Sequence, residues 1–378
     1  MKPKDKAPLR KREEARSDDR VQRPPAEVQY AEELARLTAS DAGEPRPPGW
    51  ALSLRAVRKF VLGDDALEIR RKFVGHPSLV DRATVTLATN RGLMLVGEPG
   101  TAKSLLSELL AAAVSGTSTL TIQGGASVTE DQIKYGWNYA LLVAEGPTPR
   151  ALVPAPLYLG MRDGKVVRFE EITRCPLEVQ DSLLSMLSDR VLAVPELEGT
   201  EGMLFARDGF NVIATANTRD RGVNEMSAAL KRRFNFETVF PIPDLDTELS
   251  LVRSEAARLL ERSGVPVSSP PDLLEMLVVT FRELRAGQTE EGQAMERLST
   301  VMSTAEAVAV AHAMGVRGFY LRGGEPTAAD LVECLAGTAS KDNTEDLRRI
   351  RLYLEQRVKR RKEPHWQALY EARHLLPG

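Results

Sequence analysis

The chain has few cysteines and few aromatic residues, and each scarcity argues against a class of protein. Its two cysteines, Cys175 and Cys334, are far apart and lack the spacing of metal ligands. Such cysteine usage is typical of a reducing compartment, so we expect a cytoplasmic protein. Aromatic residues make up 5% of the chain, which argues against broad surfaces that stack nucleic-acid bases.

The chain also lacks an excess of charge of one sign and any long apolar run. Its formal net charge is −2, which argues against a main role in binding nucleic-acid phosphates but does not exclude a local basic groove. No apolar run reaches the roughly 18–20 residues that cross a bilayer, and the first residues lack the apolar stretch of a signal peptide. We therefore expect no membrane span.

The 378 residues are enough for a large core and for more than one domain. Residues 1 to about 25 are charged and poor in large apolar groups, so we expect disorder there. A helix is expected over residues 26–40, followed by a stiff proline-rich linker. The sequence predicts four parts: an N-terminal extension with its linker (1–49), an α/β domain (50–243), a helical lid domain (244–340), and a basic C-terminal helix and tail (341–378).

Between residues 50 and 243, short apolar runs alternate with amphipathic segments, a pattern that predicts a parallel sheet covered by helices on both faces. Beyond residue 243 the strand signals fade and helical spacing dominates. The clearest predicted strands are 93–97, 119–123, 166–170 and 210–216, with helices at 105–114 and 177–187. The later predicted helices are 246–263, 271–285, 294–314, 327–336 and 345–361.

The first of these strands runs into a glycine-containing turn and then into a helix that begins with lysine and serine. In such a loop, backbone N–H groups and the helix N-terminus converge on the phosphates of a nucleotide. Lys103 would neutralise the β and γ oxygens, and the Ser104 hydroxyl would bind Mg²⁺. Ala102 stands where the usual motif has a second glycine. The predicted phosphate-binding residues are Gly97, Glu98, Pro99, Gly100, Thr101, Ala102, Lys103 and Ser104.

Polar residues stand at the carboxyl ends of two further predicted strands, 166–170 and 210–216. In a P-loop fold, the strand beside the loop delivers an acid to the metal, so we assign Glu170 to Mg²⁺ and the next acid, Glu171, to the attacking water. Asn217 can hydrogen-bond that water or the γ-phosphate; its alternative is a turn that caps the strand. Arg233, with Arg232 second, is predicted to reach a neighbouring subunit's γ-phosphate; the alternative is a cluster that complements a helix dipole.

These residues, in this order, resemble the MoxR family of AAA+ ATPases. Residues 97–104 are similar to the family's phosphate loop, in which alanine before lysine is usual. Residues 171–184 are similar to the segment after its acids, and 210–234 to its sensor-1 strand and arginine–phenylalanine end. Val74 and Gly75 stand where relatives approach adenine. The resemblance implies an α/β P-loop AAA+ core, a parallel sheet sandwiched by helices, followed by a smaller all-helical lid.

The chain departs from the family pattern at two positions, and two of its segments match family insertions by position. Glu170 stands where the family has aspartate, so its extra methylene must be accommodated. The family's sensor-2 arginine has no clear counterpart, and Arg297 is the nearest candidate. Residues 123–138 and 191–207 stand at the positions of two insertions that contact clients in relatives.

The resemblance implies Mg²⁺-dependent ATP hydrolysis by a homo-oligomeric ring, expected to be a hexamer, that remodels a protein client like a chaperone. It also implies a partner protein with a von Willebrand factor A domain. The sequence leaves other functions open: a nucleic-acid motor or GTPase, a nucleotide-gated scaffold with little turnover, and a metal-chelatase subunit. Nucleic acid is the less expected client because the net charge is near zero and aromatics are few.

Overall fold

The computed structural model describes residues 21–218, 224–289, 292–299, 302–339 and 343–377. The disorder expected for residues 1–25 therefore lies mostly outside the described residues. Within them, nine strands occur: β1 (Gly92–Gly97), β2 (Thr121–Gln123), β3 (Tyr135–Trp137), β4 (Leu152–Pro154), β5 (Val166–Glu170), β6 (Val191–Ala193), β7 (Met203–Phe205), β8 (Asn211–Asn217) and β9 (Phe234–Val239).

The helices in the described part of the chain fall into an N-terminal and core group and a C-terminal group. The first group is α1 (Ala26–Gln29), α2 (Ala31–Ser40), α3 (Leu54–Leu62), α4 (Pro77–Leu87), α5 (Lys103–Ser115), α6 (Tyr139–Glu145), α7 (Pro156–Asp163), α8 (Leu177–Asp181), α9 (Leu184–Ser188) and α10 (Ala228–Lys231). The second group is α11 (Leu245–Arg262), α12 (Pro271–Ala286), α13 (Thr304–Arg322), α14 (Ala328–Ala339), α15 (Thr344–Gln356) and α16 (Pro364–Glu371).

Five strands form one parallel sheet in the order β2-β5-β8-β1-β9. Alternate side chains of a strand point to opposite faces of a sheet. Leu93 and Leu95 accordingly pack in a cluster with α3, α4 and α5, while Met94 packs with α7, α8 and α9 on the other face. The expected α/β core with helices on both faces of a parallel sheet is confirmed.

The N-terminal helices pack on the α/β core. α1 and α2 occupy the segment for which the sequence predicts one helix, and Tyr30 separates them. Ala26 and Leu37 are buried in the same cluster as β1 and α5. The following linker is docked as well, because Gly49 lies directly against the backbone of Asp208.

The C-terminal helices α11 to α16 share one apolar core, so the expected all-helical region is confirmed. One predicted helix is wrong at its start: α13 begins at Thr304, ten residues later than the apolar spacing from residue 294 suggests. Ser303 and Glu306 form a capping box that fixes this N-terminus. Met295 and Leu298 pack against the lid core without being helical, which explains the misleading apolar pattern.

Two antiparallel hairpins project from the α/β core. β3 pairs with β4 and encloses the short helix α6, and β6 pairs with β7. They occur in the two segments where the family resemblance implies insertions, and the first continues beyond the expected residues to Pro154.

The docked linker predicts a difference between two glycines with similar backbone angles. Gly43 and Gly49 have φ of +85° and +78°, but a Cβ on Gly43 meets no atom within 4 Å, whereas one on Gly49 would lie 2.1 Å from the Asp208 carbonyl oxygen. Gly43→Ala should lower the free energy of unfolding by about 1 kcal/mol, the cost of a left-handed alanine. Gly49→Ala should lower the free energy of unfolding by roughly 2–4 kcal/mol, because the linker must also move away from the 208–209 loop.

Urea denaturation followed by circular dichroism measures both losses. Equal losses in the two variants would show that the linker does not depend on its contact with the 208–209 loop.

Candidate functional site

The predicted phosphate loop joins β1 to α5 at the carboxyl end of the central strand. Ala102 takes the left-handed conformation with φ +67°, and Gly100 has φ +76°. An L-residue in that conformation costs roughly 1–2 kcal/mol, and such strain tends to persist where surrounding structure holds a functional loop. The Lys103 ammonium is buried and donates hydrogen bonds to the carbonyl oxygens of Gly97 (3.1 Å) and Glu98 (2.7 Å).

The loop leaves little room for side chains at its tip. A Cβ on Gly100 would lie 2.1 Å from the Cβ of Ser303, at the start of the lid helix α13. Thr101 donates a hydrogen bond across the loop to the Glu98 carbonyl oxygen at 2.9 Å. The lid therefore contacts the phosphate loop directly, and nucleotide at this loop would lie against the N-terminal end of α13.

Glu170 is 5% exposed and its two carboxylate oxygens have different partners. Oε2 accepts hydrogen bonds from the hydroxyls of Ser104 (2.7 Å) and Thr215 (2.9 Å). Oε1 accepts from Ser107 (2.6 Å) and from the Arg168 guanidinium (2.8 Å). Burial alone would raise the pKa of Glu170, but the Ser107 hydrogen bond and the Arg168 charge outweigh it and hold the pKa below its usual value.

This arrangement accommodates the extra methylene of a glutamate. Arg168 and Ser107 hold one oxygen, so that the other faces Ser104 directly. An ionised carboxylate beside a serine hydroxyl supplies the hard oxygen ligands that Mg²⁺ takes together with nucleotide phosphates. Ser104 and Glu170 therefore fit the metal-binding role that the sequence predicts for them.

Glu171 lies one residue beyond β5 in the left-handed conformation, with φ +55°. Its Oε1 is 3.4 Å from the Asn217 amide nitrogen, at the end of β8, so the structure brings these two predicted residues together. Its Oε2 pairs with Arg174 at 2.9 Å and lies 3.5 Å from the Gln123 amide nitrogen. The two long contacts place the side-chain amides of Asn217 and Gln123 on either oxygen of the Glu171 carboxylate.

Sequence reasoning missed Arg168, Ser107, Thr215, Gln123 and Arg174. Thr215 is the most informative of these, because its hydroxyl contacts Glu170 and also accepts a hydrogen bond from the Glu171 backbone nitrogen at 2.9 Å. The available signal was a threonine within the otherwise apolar run 212–216. The structure buries it to 1% exposure, and a buried hydroxyl needs a hydrogen-bond partner.

Arg232 and Arg233 lie at the other end of the sheet from the phosphate loop. The Gly92 nitrogen, at the start of β1, donates to the Arg233 carbonyl oxygen at 2.9 Å, whereas the loop follows Gly97. At about 3.3 Å per residue, β1 separates these positions by about 16 Å. Arg232 is exposed, and the Arg233 guanidinium donates to the Ser188 hydroxyl at 2.5 Å.

A cleft of about 1170 Å³ lies between the α/β core and the lid. Glu98 to Ala102, Val74 and the first residues of α13 line it, but Gly75 does not. Gly75 instead lies against the Phe73 ring. Of the two residues predicted to approach adenine, Val74 therefore lines the cleft and Gly75 does not.

Arg297 does not line this cleft, whereas Arg285 does, together with Arg258 and Arg262 of α11. Arg297 lies in a separate pocket, where its guanidinium donates to the Ala286 carbonyl oxygen at 2.9 Å. Arg285 and Arg282 both pair with the buried carboxylate of Glu248, at 3.0 and 2.7 Å. Although burial opposes ionisation, the hydrogen bond and charge of Arg285 keep the pKa of Glu248 below its usual value.

One residue of the basic segment after α15, Arg361, packs into the lid, whereas Lys359, Arg360 and Lys362 are exposed. Arg361 pairs with the buried Glu283 at 2.7 Å and stacks over the Trp366 ring at 3.9 Å. Glu283 also accepts a hydrogen bond from the Tyr353 hydroxyl at 2.6 Å. Arg361 therefore holds helices together instead of lying on a solvated basic surface.

The described helices include none with the length and apolar character needed to span a bilayer. The paired acids follow β5, which β8 separates from β1, so the expectation that their strand lies directly beside the loop strand is wrong. A phosphate loop, paired acids at the same edge of the sheet, a five-stranded parallel sheet and a helical lid define the AAA+ class of P-loop ATPases.

Comparisons with known proteins agree with this class. Residues 92–234 match the family model described as an AAA domain of the dynein-related subfamily, and residues 246–377 match the model of the YehL-like AAA+ ATPase C-terminal domain. The chain is 67% identical over 362 residues to the uncharacterized protein YehL of Escherichia coli K12, covering 95% of this chain and 99% of that protein.

A second relative is the chaperone MoxR1 of Mycobacterium tuberculosis, 31% identical over 216 residues, which are 56% of this chain and 52% of that protein. Among solved structures, NtrX of Brucella abortus in complex with ADP aligns with a TM-score of 0.49 and 14% identity, covering 80% of this chain and 64% of that chain. The chain belongs to the MoxR family of AAA+ ATPases and, within it, to the YehL-like proteins.

The double role of Thr215 gives a prediction. Thr215→Val keeps the shape of the side chain but removes the hydroxyl between Glu170 and Glu171, so both acids lose a fixed position. We expect ATP turnover to fall about tenfold, equivalent to about 1.4 kcal/mol, with nucleotide affinity nearly unchanged. Steady-state phosphate release and a nucleotide titration measure the two effects.

The matched control is Thr238→Val on β9, where the side chain is exposed. Equal turnover in the two variants, both folded, would remove Thr215 from the site.

Proposed function

We propose that this protein hydrolyses ATP with Mg²⁺ in a ring of identical subunits, six in number, and uses the energy to remodel a protein client in the manner of a chaperone. The observation that carries this proposal is the separation of Arg233 from the phosphate loop of its own subunit. In a ring, an arginine that is remote from the phosphate loop of its own subunit can act on the γ-phosphate of a neighbouring subunit.

The chain's own residues have distinct tasks in this proposal. Lys103 turns from the loop carbonyls to the β and γ oxygens, and the backbone N–H groups of residues 98 and 100–104 hold the phosphates. Glu171 accepts a proton from the attacking water, which Asn217 orients in line with the γ-phosphate. The 3.4 Å contact between these two side chains supports their joint action on one water.

Ser104 and Glu170 hold Mg²⁺ in this proposal, and the ion supplies charge neutralisation at the β and γ oxygens when bound. The 2.7 Å contact between the serine hydroxyl and Glu170 Oε2 places both oxygens together before nucleotide arrives. Arg168 acts as a positioning residue, because it occupies the oxygen of Glu170 that does not face Ser104.

Arg233, with Arg232 beside it, acts in trans. About 16 Å of strand separates the pair from the loop of the same subunit, so only the γ-phosphate of an adjacent subunit is within reach in a ring. A guanidinium there stabilises charge that develops in the transition state and makes hydrolysis depend on assembly.

The two hairpins supply surfaces for a client. Tyr139 (71% exposed) and Val143 (88%) on α6, and Phe205 (65%) on β7, expose large apolar side chains. Apolar surface that the folded subunit leaves uncovered is typical of protein-binding sites. We propose that nucleotide-driven movement of the lid moves these hairpins against the client, and that a partner with a von Willebrand factor A domain delivers it, as the family resemblance implies.

The shared site predicts how an Arg233→Ala variant behaves. It should bind ATP with normal affinity and lose hydrolysis, because it lacks only the cation offered to its neighbour. Mixed with the original protein, it should lower turnover by more than its molar share. The control is Arg348→Ala, a largely exposed arginine on α15.

Turnover per subunit should also rise with protein concentration, as measured by phosphate release alongside light scattering. Unchanged turnover in Arg233→Ala, or turnover independent of concentration in a monomeric sample, would contradict the shared site.

Glu171→Gln tests hydrolysis itself. The amide cannot accept the proton of water, so ATP and Mg²⁺ should bind while turnover falls about 100-fold or more. Glu178→Gln, at an exposed glutamate on α8, should turn over normally. Equally low turnover in the original protein and in Glu171→Gln would instead indicate a nucleotide-gated scaffold.

A further inference from the structure

The first ten described residues, 21–30, fold back onto the phosphate-loop helix; we call them the N-terminal strap. The Arg23 guanidinium pairs with Glu108 on α5 at 2.9 Å. The Glu27 carboxylate accepts hydrogen bonds from the Ser118 backbone nitrogen (3.0 Å) and hydroxyl (2.7 Å). Ala26 is 2% exposed within the core cluster. These contacts fix the strap to the α/β domain.

The strap also reaches the lid. Arg262, the last residue of α11, donates hydrogen bonds to the carbonyl oxygens of Val21 (3.3 Å) and Gln22 (3.0 Å). Burial, and next the carboxylate of Glu255 on the same lid helix, raise the pKa of Tyr30. The strap therefore lies between the two halves that enclose the nucleotide cleft.

Strap residues line the same cleft as the phosphate loop. Gln22, Gln29 and Tyr30 form its wall together with Val74 and Leu105. Glu108, where the strap is attached, lies five residues into α5, about 7.5 Å along the helix from its phosphate-binding end. The strap is therefore attached away from the phosphate-binding end of α5, along the wall of the same cleft.

Resting on the proposed function, we propose that the strap is the base-side wall of the nucleotide site, with Gln29 and Tyr30 as the groups that recognise a purine base. A glutamine amide offers both donors and an acceptor to the edge of a base. The Gln29 amide nitrogen donates to the Tyr30 hydroxyl at 3.0 Å, which orients the amide. Tyr30 is itself held edge-on against Phe60, with ring centroids 5.8 Å apart.

Arg262 has a second part in this proposal. Because it bonds the backbone of the strap from the lid, closing the lid presses the strap toward the base. In this proposal the lid contacts the base end of the nucleotide through the strap. It contacts the phosphate end through Ser303, which lies against Gly100 of the phosphate loop.

Two probes separate these ends in the full-length chain. ADP carries a base, whereas inorganic tripolyphosphate presents phosphates alone. Gln29→Ala should weaken ADP binding about fivefold, the effect of one neutral hydrogen bond, and leave tripolyphosphate binding unchanged. The control is Glu32→Ala, an exposed neighbour on α2 that does not line the cleft. Isothermal titration calorimetry measures both affinities.

A second pair of variants tests the hydrogen bonds from Arg262 of the lid to the strap. Arg262→Ala should weaken ADP binding without affecting tripolyphosphate, and should speed amide hydrogen exchange in residues 21–30. Arg253→Ala, at an exposed arginine on the same helix, should do neither. Bound ADP should slow exchange in the strap of the original protein.

Unchanged ADP affinity in both Gln29→Ala and Arg262→Ala would overturn this inference, as would equal losses for ADP and tripolyphosphate. Failure of the original protein to bind either probe would instead contradict the proposed nucleotide function.

Discussion

The buried carboxylate of Glu170 is the interaction on which the site depends. It joins three elements of the core: the phosphate-loop helix through Ser104 and Ser107, the neighbouring strand through Thr215, and its own strand through Arg168. A buried charge is tolerated only where hydrogen bonds and an opposite charge compensate for lost hydration. Removal of any of these partners should therefore lower the free energy of unfolding. The result is a Glu170 oxygen that is held facing the Ser104 hydroxyl.

The proposed nucleotide site is distributed over parts of the chain that are remote in sequence. The α/β domain holds the phosphates, the lid closes over the loop at Ser303, and the strap covers the base side. Arg285 lines the cleft from the lid side and is held there by its pair with Glu248 of the neighbouring lid helix. Because these contacts belong to separate structural units, a change of nucleotide can be transmitted as a movement of one unit against another.

Much of the fold was predictable, because the spacing of apolar residues and the residues at the ends of helices and strands are local properties of the sequence. The strand over Val166–Glu170 was bounded correctly, and α5 lies within two residues of its predicted ends. The helix predicted from residue 294 was wrong because Met295 and Leu298 face the lid core from an irregular segment. Apolar spacing reports burial, and burial alone does not distinguish a helix from a packed loop.

The sequence by itself determined the phosphate loop, the paired acids and the helical lid, because each is encoded by neighbouring residues. Tertiary structure decided that Arg285 lines the cleft and Arg297 does not. It also decided which polar groups surround Glu170 and Glu171. It also placed Arg23, which lies in the segment predicted to be disordered, against Glu108 of α5. Such contacts join residues tens of positions apart, and their partners are fixed by how strands and helices stack.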